Sequence, residues 1–243
     1  MKHRSGALAL DVAFAVTEPW TVLFGASGSG KTTILRAIAG FMRPDQGYIT
    51  VGREIVFDSS TKHVLPAFRR PVRSAAQQTR LFPNKTVAEN IFYGGGGASG
   101  SREPLDIAEQ VMIAFELSDL RDRFPRDLSG GEAQRVAVSR ALVSAATFDG
   151  PETPLLLLDE PLAGLDMAAR DRIIRELVQW TGRWKIPVLS VTHDIGEAFQ
   201  LGADVVKIAG GQIIEQGPAC AVLAREREQL LNQLEQKRLN ALE

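Results

Sequence analysis

Residues 25–33 read GASGSGKTT, so that three glycines and two serines stand directly ahead of a lysine and two threonines. Glycine lets several backbone N–H groups converge on one anion, and a helix that starts beside them adds the positive end of its dipole. Residues 25–32 fit the phosphate-binding pattern G-x-x-x-x-G-K-[ST]. A flexible glycine turn is the alternative interpretation, and the flanking sequence decides between the two.

The flanking segments are those that a phosphate-binding loop requires, a strand before it and a helix after it. Residues 20–24, WTVLF, form a compact apolar run typical of a buried parallel strand. Residues 31–40 carry apolar side chains at helical spacing and end at Gly40, a common helix stop. We therefore predict a site for a nucleoside triphosphate, with Lys31 reaching the β- and γ-phosphates and the Thr32 hydroxyl binding Mg²⁺. The predicted phosphate-binding residues are Gly25, Ala26, Ser27, Gly28, Ser29, Gly30, Lys31, Thr32 and Thr33.

The remainder of the chain alternates between predicted strands and helices. From residue 155 onward the pattern predicts a strand at 155–159, a helix at 167–181, a strand at 186–192, a helix near 195–201 and a strand at 204–208. Such alternation predicts an α/β fold with a parallel sheet. Upstream, we expect a strand within 7–16, a hairpin over 47–57 around Gly52, a short helix from 86, a flexible loop at 94–101 and helices over 104–146 with a break at 124–131.

Composition limits the class of protein. The chain has 243 residues, 44% of them hydrophobic and 23% charged, which suits one globular domain with a substantial core. Its net charge of -1 gives no support to a nucleic-acid partner. Cys220 is the only cysteine, so no internal disulfide can form and a reducing compartment is expected. The N-terminus is too short in apolar residues for a signal peptide, and no apolar run approaches the roughly 18 residues of a membrane span.

A second candidate element is LLLLDEP at residues 155–161. Four leucines predict a buried strand, and open α/β sheets bind ligands at the carboxyl ends of such strands. Asp159 is then suited to hold Mg²⁺, and Glu160 to act on the attacking water as a general base. Many strands end in a charged turn, so this element gains weight only from the phosphate-binding loop upstream.

A third element, LSGGEAQR at residues 128–135, resembles the signature motif of the ATP-binding-cassette (ABC) superfamily. Ser129 would cap a helix there while Gly130 and Gly131 expose its first N–H groups, which makes a second anion site. Other motifs of the family follow in order. Gln77 matches the Q-loop glutamine, Asp166 in AGLD matches the D-loop, and His193 in VTHD matches the switch histidine.

This resemblance covers almost the whole chain and implies a P-loop NTPase fold, one ABC ATPase domain over residues 1–243. Residues 1–84 and 147–218 would form the parallel-sheet core with an N-terminal antiparallel β subdomain, and 85–146 an inserted helical subdomain. The helical tail, 219–243, has a leucine face of Leu223, Leu230, Leu231 and Leu234, whose spacing predicts a helix packed on its own domain rather than a dimerising coil. The resemblance further implies that two copies close around each ATP with C₂ symmetry. The partner would contribute the signature residues Ser129, Gly130, Gly131 and Glu132.

The resemblance also implies roles for the catalytic residues. Lys31 and the loop amides would hold the phosphates of ATP, and Thr32, Asp159 and Gln77 would arrange Mg²⁺ and its waters. Glu160 would orient the attacking water, while His193 would bond the γ-phosphate and sense its loss. Hydrolysis would then depend on the closure of two copies, because phosphoryl transfer rests on positioning and charge neutralisation.

The segment after Gln77, QTRLFPNKTVAENIFYG at residues 78–94, resembles importer ATPases in which a groove receives a helix of the membrane permease. Together with GGQIIEQGP at 210–218 it is most similar to ATPases of molybdate and related oxyanion importers. The resemblance implies a peripheral protein on the cytoplasmic face of the membrane that works with a permease and, indirectly, a substrate-binding protein. Import of another solute remains the alternative.

Three features depart from the importer pattern. Members of this group usually carry a C-terminal β-rich regulatory domain, whereas this chain has a helical tail after residue 218. The aromatic residue that usually stacks on adenine falls near His3, where no aromatic side chain occurs, so the adenine contact is unassigned. Residues 147–154, TFDGPETP, lengthen the connection before the 155–159 strand.

Rival functions find less support. A GTPase needs a guanine-reading N-K-x-D, and NKTV at residues 84–87 lacks the aspartate. ABC proteins that act on DNA or the ribosome usually bring long coiled coils or two cassettes in one chain, and neither is seen. A non-hydrolysing scaffold conflicts with Glu160 and His193.

Overall fold

The computed structural model describes residues 1–6, 8–76, 80–93 and 102–240. Its strands are β1 (Lys2–Ser5), β2 (Leu8–Asp11), β3 (Trp20–Phe24), β4 (Tyr48–Val51), β5 (Glu54–Asp58), β6 (His63–Val64), β7 (Val72–Ala75), β8 (Leu155–Asp159), β9 (Val188–Val191), β10 (Asp204–Ala209) and β11 (Gln212–Pro218). Its α-helices are α1 (Lys31–Ala39), α2 (Val87–Tyr93), α3 (Arg102–Ala114), α4 (Gly130–Ala146), α5 (Met167–Arg183), α6 (Ile195–Gln200), α7 (Ala219–Val222) and α8 (Ala224–Asn240).

The main sheet of the described residues has the strand order β1-β2-β11-β10-β3-β9-β8-β7. Its centre is parallel, since β10, β3, β9, β8 and β7 pair in the same direction. Every residue of β8 and of β9 is buried, as expected of parallel strands covered on both faces. The predicted α/β fold with a parallel core is therefore confirmed, and the carboxyl ends of β3, β8 and β9 meet at one edge.

Antiparallel strands extend one edge of the main sheet and also form a second, smaller sheet. Strands β10 and β11 form a hairpin through Gly210 and Gly211, and a Cβ at Gly211 would lie 2.0 Å from the carbonyl oxygen of Ala9. Strands β4, β5 and β6 form a separate three-stranded sheet, in which Val51 pairs with Glu54 across Gly52. The predicted hairpin around Gly52 is confirmed, while the strand expected within 7–16 is limited to β2.

Helices α2, α3 and α4 lie between β7 and β8 in sequence and pack on one another. The sequence prediction of a helix break at 124–131 is too short, because α3 ends at Ala114 and α4 begins only at Gly130. Phe115 and Leu117 are fully buried in this connection, and Glu116 between them adopts a left-handed φ of 55° that ends the helix. Tertiary burial therefore stops α3 earlier than its periodicity suggests. The loop expected at 94–101 lies outside the described residues.

The tail consists of the short helix α7 and the longer helix α8. Leu223 is fully buried, and the first turn of α8 is held by an ion pair between Lys207 and Glu226 at 2.6 Å. Beyond that turn the helix leaves the core, since Leu230 is 42% and Leu231 49% exposed. The predicted leucine face therefore packs on its own domain at Leu223 but not at Leu230 and Leu231.

Among the described residues, no helix combines the length and the apolar character that a membrane crossing requires.

Candidate functional site

The loop between β3 and α1 follows a path that demands glycine. Gly28 and Gly30 have left-handed φ values of 78° and 102°, and Gly30 caps the N-terminus of α1. A Cβ at Gly25 would lie 2.3 Å from the carbonyl oxygen of Ile208, which leaves no room for any side chain. The loop thus lies against β10 and presents its backbone at the start of α1, the arrangement that binds phosphate groups.

Lys31 lies inside this loop. Its side chain is buried, and its Nζ donates to the carbonyl oxygens of Gly25 at 2.7 Å and Ala26 at 2.9 Å. Burial lowers the pKa of Lys31, and the nearby carboxylates of Glu160 and Asp159 act in the opposite direction. The loop therefore holds one cation at its centre, within electrostatic reach of both predicted acidic residues.

Asp159 ends β8 and faces the start of α1. It is buried, and one of its oxygens accepts a hydrogen bond from the Thr32 hydroxyl at 3.3 Å. Burial raises the pKa of Asp159, as does the neighbouring Glu160, while Thr32 and Lys31 oppose that shift. A carboxylate and a hydroxyl oxygen side by side are hard ligands, and this donor set fits Mg²⁺. Gln77, the third predicted metal residue, lies outside the described residues.

Glu160 directly follows β8 and adopts a strained backbone conformation. Its φ of 49° lies in the left-handed region, which costs a non-glycine residue about 1 kcal/mol or more. Hydrogen bonds to its backbone hold it there: its N–H donates to the carbonyl oxygen of Val191 at 3.0 Å, and its carbonyl oxygen accepts from the N–H of Ala163 at 3.2 Å and from the Gln134 side chain at 3.3 Å. Its carboxylate lies 3.4 Å from Nδ1 of His193. The Glu160 carboxylate therefore lies beside the exposed side chain of His193.

The signature segment forms the capped start of α4. The Ser129 hydroxyl accepts from the N–H of Glu132 at 3.3 Å, and the Ser129 N–H donates to the Glu132 carboxylate at 2.7 Å. These bonds lower the pKa of Glu132 and define a capping box. Ser129 and Gly130 are exposed, so the N-terminus of α4 faces outward. The structure therefore assigns the Glu132 carboxylate a capping contact within its own chain.

The loop before α5 packs against this helix start. A Cβ at Gly131 would lie 3.0 Å from the carbonyl oxygen of Gly164, and Gly164 itself has a left-handed φ of 78°. Asp166 caps α5 by accepting from the N–H of Ala169 at 2.9 Å. The glycines of the two motifs thus let the start of α4 and the 163–166 loop approach each other within one chain.

Sequence reasoning missed a group of residues around His193. Glu197 of α6 is only 5% exposed, and its carboxylate accepts from the Thr192 hydroxyl at 2.8 Å. Burial raises the pKa of Glu197 from its ordinary value of 4.5 to about 7. Asp194 accepts from the N–H of Glu197 at 3.1 Å and pairs with Arg170 of α5. The sequence around Glu197 carries no signal that could have marked it as buried.

Glu197 should make the stability of the fold depend on pH. The folded chain retains a proton on Glu197 that the unfolded chain releases above its ordinary pKa of 4.5, so stability falls as the pH rises toward 7. The loss approaches ~3 kcal/mol by about pH 7.5, and Glu197→Gln removes it. Thermal melts from about pH 5 to 8 should show the Tm of the variant rising relative to wild type up to about pH 7. A constant difference across that range would contradict a buried neutral carboxyl group.

The sequence matches a known family. The profile of the ABC transporter family covers residues 11–163 of this chain. The molybdenum import ATP-binding protein ModC of Mesorhizobium japonicum is 38% identical over 223 residues, which are 92% of this chain and 58% of that protein. The ModC protein of Rhodospirillum rubrum is also 38% identical over 223 residues, with the same coverage of 92% and 58%. The chain thus spans less than two thirds of the length of these curated relatives.

The fold matches solved structures of ATP-binding cassettes. A dimeric cassette in a post-hydrolysis state, bound to ADP and Pi, has a TM-score of 0.73 and 24% identity, covering 90% of this chain and 95% of that one. The protein cbiO1 from Clostridium perfringens, part of the transporter complex cbiONQ, has a TM-score of 0.74 and 23% identity, covering 99% and 95% of the two chains. At such identities these structures establish the fold alone.

Proposed function

Because the chain belongs to the ABC transporter family, we propose that it is the ATP-hydrolysing subunit of an ABC importer and works as a pair of identical chains. The observation that carries the proposal is the cluster at the carboxyl ends of β3, β8 and β9. There the loop cation Lys31, the buried Asp159 and the Glu160–His193 pair lie within electrostatic reach of one another. Such a cluster suits the transfer of a phosphoryl group to water.

Each residue of the cluster has a distinct task in hydrolysis. Lys31 and the amides of residues 25–33 bind the phosphates of ATP, and the Glu160 carboxylate accepts a proton from the attacking water. His193 lies beside that carboxylate and bonds the γ-phosphate. Thr32, Asp159 and Gln77 hold Mg²⁺ in this proposal. When bound, the ion neutralises charge on the phosphate oxygens.

The second copy completes the site in this proposal. The exposed, capped start of α4 presents N–H groups and the positive end of a helix dipole, which suits the γ-phosphate bound by the partner. Ser129, Gly130, Gly131 and Glu132 therefore act on the ATP of the other chain, while the 163–166 loop with Asp166 lies at the seam. A dimeric cassette of the same fold holds ADP and Pi, which supports this arrangement by analogy.

The solute proposed for transport rests on sequence similarity to relatives alone. Relatives that are 38% identical over 92% of this chain are named molybdenum import proteins, so molybdate or a related oxyanion is the proposed cargo. The ATPase does not touch the cargo, which would reach the permease from a substrate-binding protein. This assignment puts the chain at the cytoplasmic face of the membrane.

The surface proposed for the permease lies at the end of α2. Tyr93 is 62% exposed, and its ring packs edge-on against Phe82 at a centroid distance of 4.5 Å. Arg140 lies over the other aromatic ring of this pair, 5.3 Å from the Phe82 centroid. An exposed aromatic pair beside a cation offers an anchor of the kind that protein interfaces favour.

Reconstitution tests the proposal. The chain, co-expressed with the permease and substrate-binding protein of a molybdate importer, should drive Mg²⁺- and ATP-dependent molybdate uptake into proteoliposomes. Tyr93→Ser should weaken permease capture at least about tenfold, as loss of an aromatic interface anchor does, while Leu230→Ser on the exposed face of α8 should not. Uptake of another solute would reassign the cargo. Full ATPase activity without capture of any membrane protein would contradict the importer function.

A further inference from the structure

The loop that carries His193 is held by a chain of hydrogen bonds on both sides of the histidine. The Thr192 hydroxyl donates to the Glu197 carboxylate at 2.8 Å and accepts from the N–H of Asp194 at 3.0 Å. Thr192 is 2% exposed, so no water competes for these bonds. The two residues that flank His193 are thus joined through one hydroxyl, and that hydroxyl is oriented by Glu197.

The same network reaches the helix that follows the 163–166 loop. The Asp194 carboxylate accepts from the N–H of Glu197 at 3.1 Å and pairs with the guanidinium group of Arg170. The N–H of Arg170 in turn donates to the carbonyl oxygen of Asp166 at 2.9 Å. A continuous set of contacts therefore runs from Asp166 through Arg170 and Asp194 to the backbone around His193.

Resting on the proposed function, we propose that Glu197 is a positioning residue that fixes His193 for hydrolysis by orienting the Thr192 hydroxyl, which in turn binds the N–H of Asp194. Glu197 touches neither substrate nor metal in this role. A backbone fixed on both sides limits the motion of the histidine to rotation of its side chain, so the Cα of His193 stays at a fixed distance from Glu160. Asp194, through its pair with Arg170, connects the histidine loop to the loop at the proposed seam.

The hydrogen bond that the Thr192 hydroxyl donates requires an acceptor atom on residue 197, whether or not that residue is charged. Glu197→Gln retains a carbonyl oxygen for the hydroxyl, whereas Glu197→Ala removes the acceptor. Thr192→Ser retains the hydroxyl, whereas Thr192→Val keeps the shape of the side chain without it. These two pairs of variants separate the hydrogen bond from packing and charge.

Steady-state ATPase measurements test the role. We expect Glu197→Ala and Thr192→Val each to lower kcat about tenfold or more while the KM for ATP stays within about threefold, because the phosphate-binding loop is untouched. The double variant should be no slower than the worse single variant, since the hydrogen bond that Glu197→Ala removes is already lost in Thr192→Val. Glu197→Gln and Thr192→Ser should stay within about threefold of wild type, like the exposed control Glu228→Ala.

Other outcomes would overturn the proposal. The proposal is contradicted if the two losses of kcat multiply in the double variant. It is also contradicted if KM rises as much as kcat falls, or if Glu197→Gln and Thr192→Ser do not recover activity. Hydrogen exchange supplies a readout without turnover, since Glu197→Ala should speed exchange of the Asp194 amide. Absence of ATPase activity in the wild-type protein would contradict the proposed function. An unchanged exchange rate of the Asp194 amide in Glu197→Ala would separately contradict the positioning role of Glu197.

Discussion

Glu160→Gln is expected to slow ATP turnover about a hundredfold or more while ATP binding stays near the wild-type level. The amide cannot accept a proton from the attacking water, and general-base catalysis typically contributes factors of that size. Gln and Glu have the same shape, so the strained backbone at φ 49° and its bonds to Val191 and Gln134 are retained. Lys31 and the loop amides, which bind the nucleotide, are unchanged.

The same variant should accumulate as an ATP-bound pair, because chains that close on ATP can no longer hydrolyse it. Phosphate release and equilibrium binding of a fluorescent ATP analogue measure the two effects, and sedimentation with and without ATP measures the pairing. Glu228→Gln, an exposed change on α8, serves as the matched control. Turnover near the wild-type rate in Glu160→Gln would remove Glu160 from its proposed role.

Lys31→Ala and Ser129→Asp are each expected to lower turnover about a hundredfold or more for different reasons. Lys31→Ala removes the buried cation of the loop, so ATP binding itself should weaken. Ser129→Asp keeps a good N-cap for α4 but puts a negative charge where the partner's γ-phosphate is proposed to bind. Binding of ATP to the single chain should therefore survive in the second variant.

Ser129→Thr is the control for the second variant, since it keeps both the hydroxyl and the cap. It should retain turnover within about threefold of wild type. Thermal melts check that α4 remains capped in all of these variants. Wild-type turnover in Ser129→Asp would exclude the start of α4 from the catalytic site.

The strand, loop and helix around residues 20–40 could be predicted because their signals are local. An apolar run, glycines with a lysine and an apolar helical face all lie within 21 consecutive residues. The contact of Thr32 with Asp159 then follows from one rule. Parallel strands deliver their carboxyl ends to the same edge, so β3 and β8 bring residues 127 positions apart into contact.

Features set by tertiary contacts could not be predicted. Strand β7 is only four residues long, VRSA, and owes its conformation to pairing with β8. Glu197 reads as an ordinary surface residue of a helix, and only its burial beside Thr192 and Arg170 reveals its role. The exposed α8 shows the converse, since leucines at helical spacing do not guarantee a surface to pack on.

Some assignments remain predictions. The division into a core, a helical subdomain at 85–146 and a tail rests on the family resemblance, as do the roles of Gln77 and Asp166. Asp166 has a structural task as the cap of α5 that would operate with or without a partner chain.

The central claim is that ATP is cleaved between two copies of the chain, and mixing two inactive variants tests it most directly. In a pair of one Lys31→Ala chain and one Ser129→Asp chain, both changes fall in the same site and the other site is intact. Equal mixing makes half of the pairs mixed, so about a quarter of the wild-type activity should return. If a tagged-chain pull-down shows mixed pairs and turnover still equals the sum of the two separate variants, the shared site is contradicted.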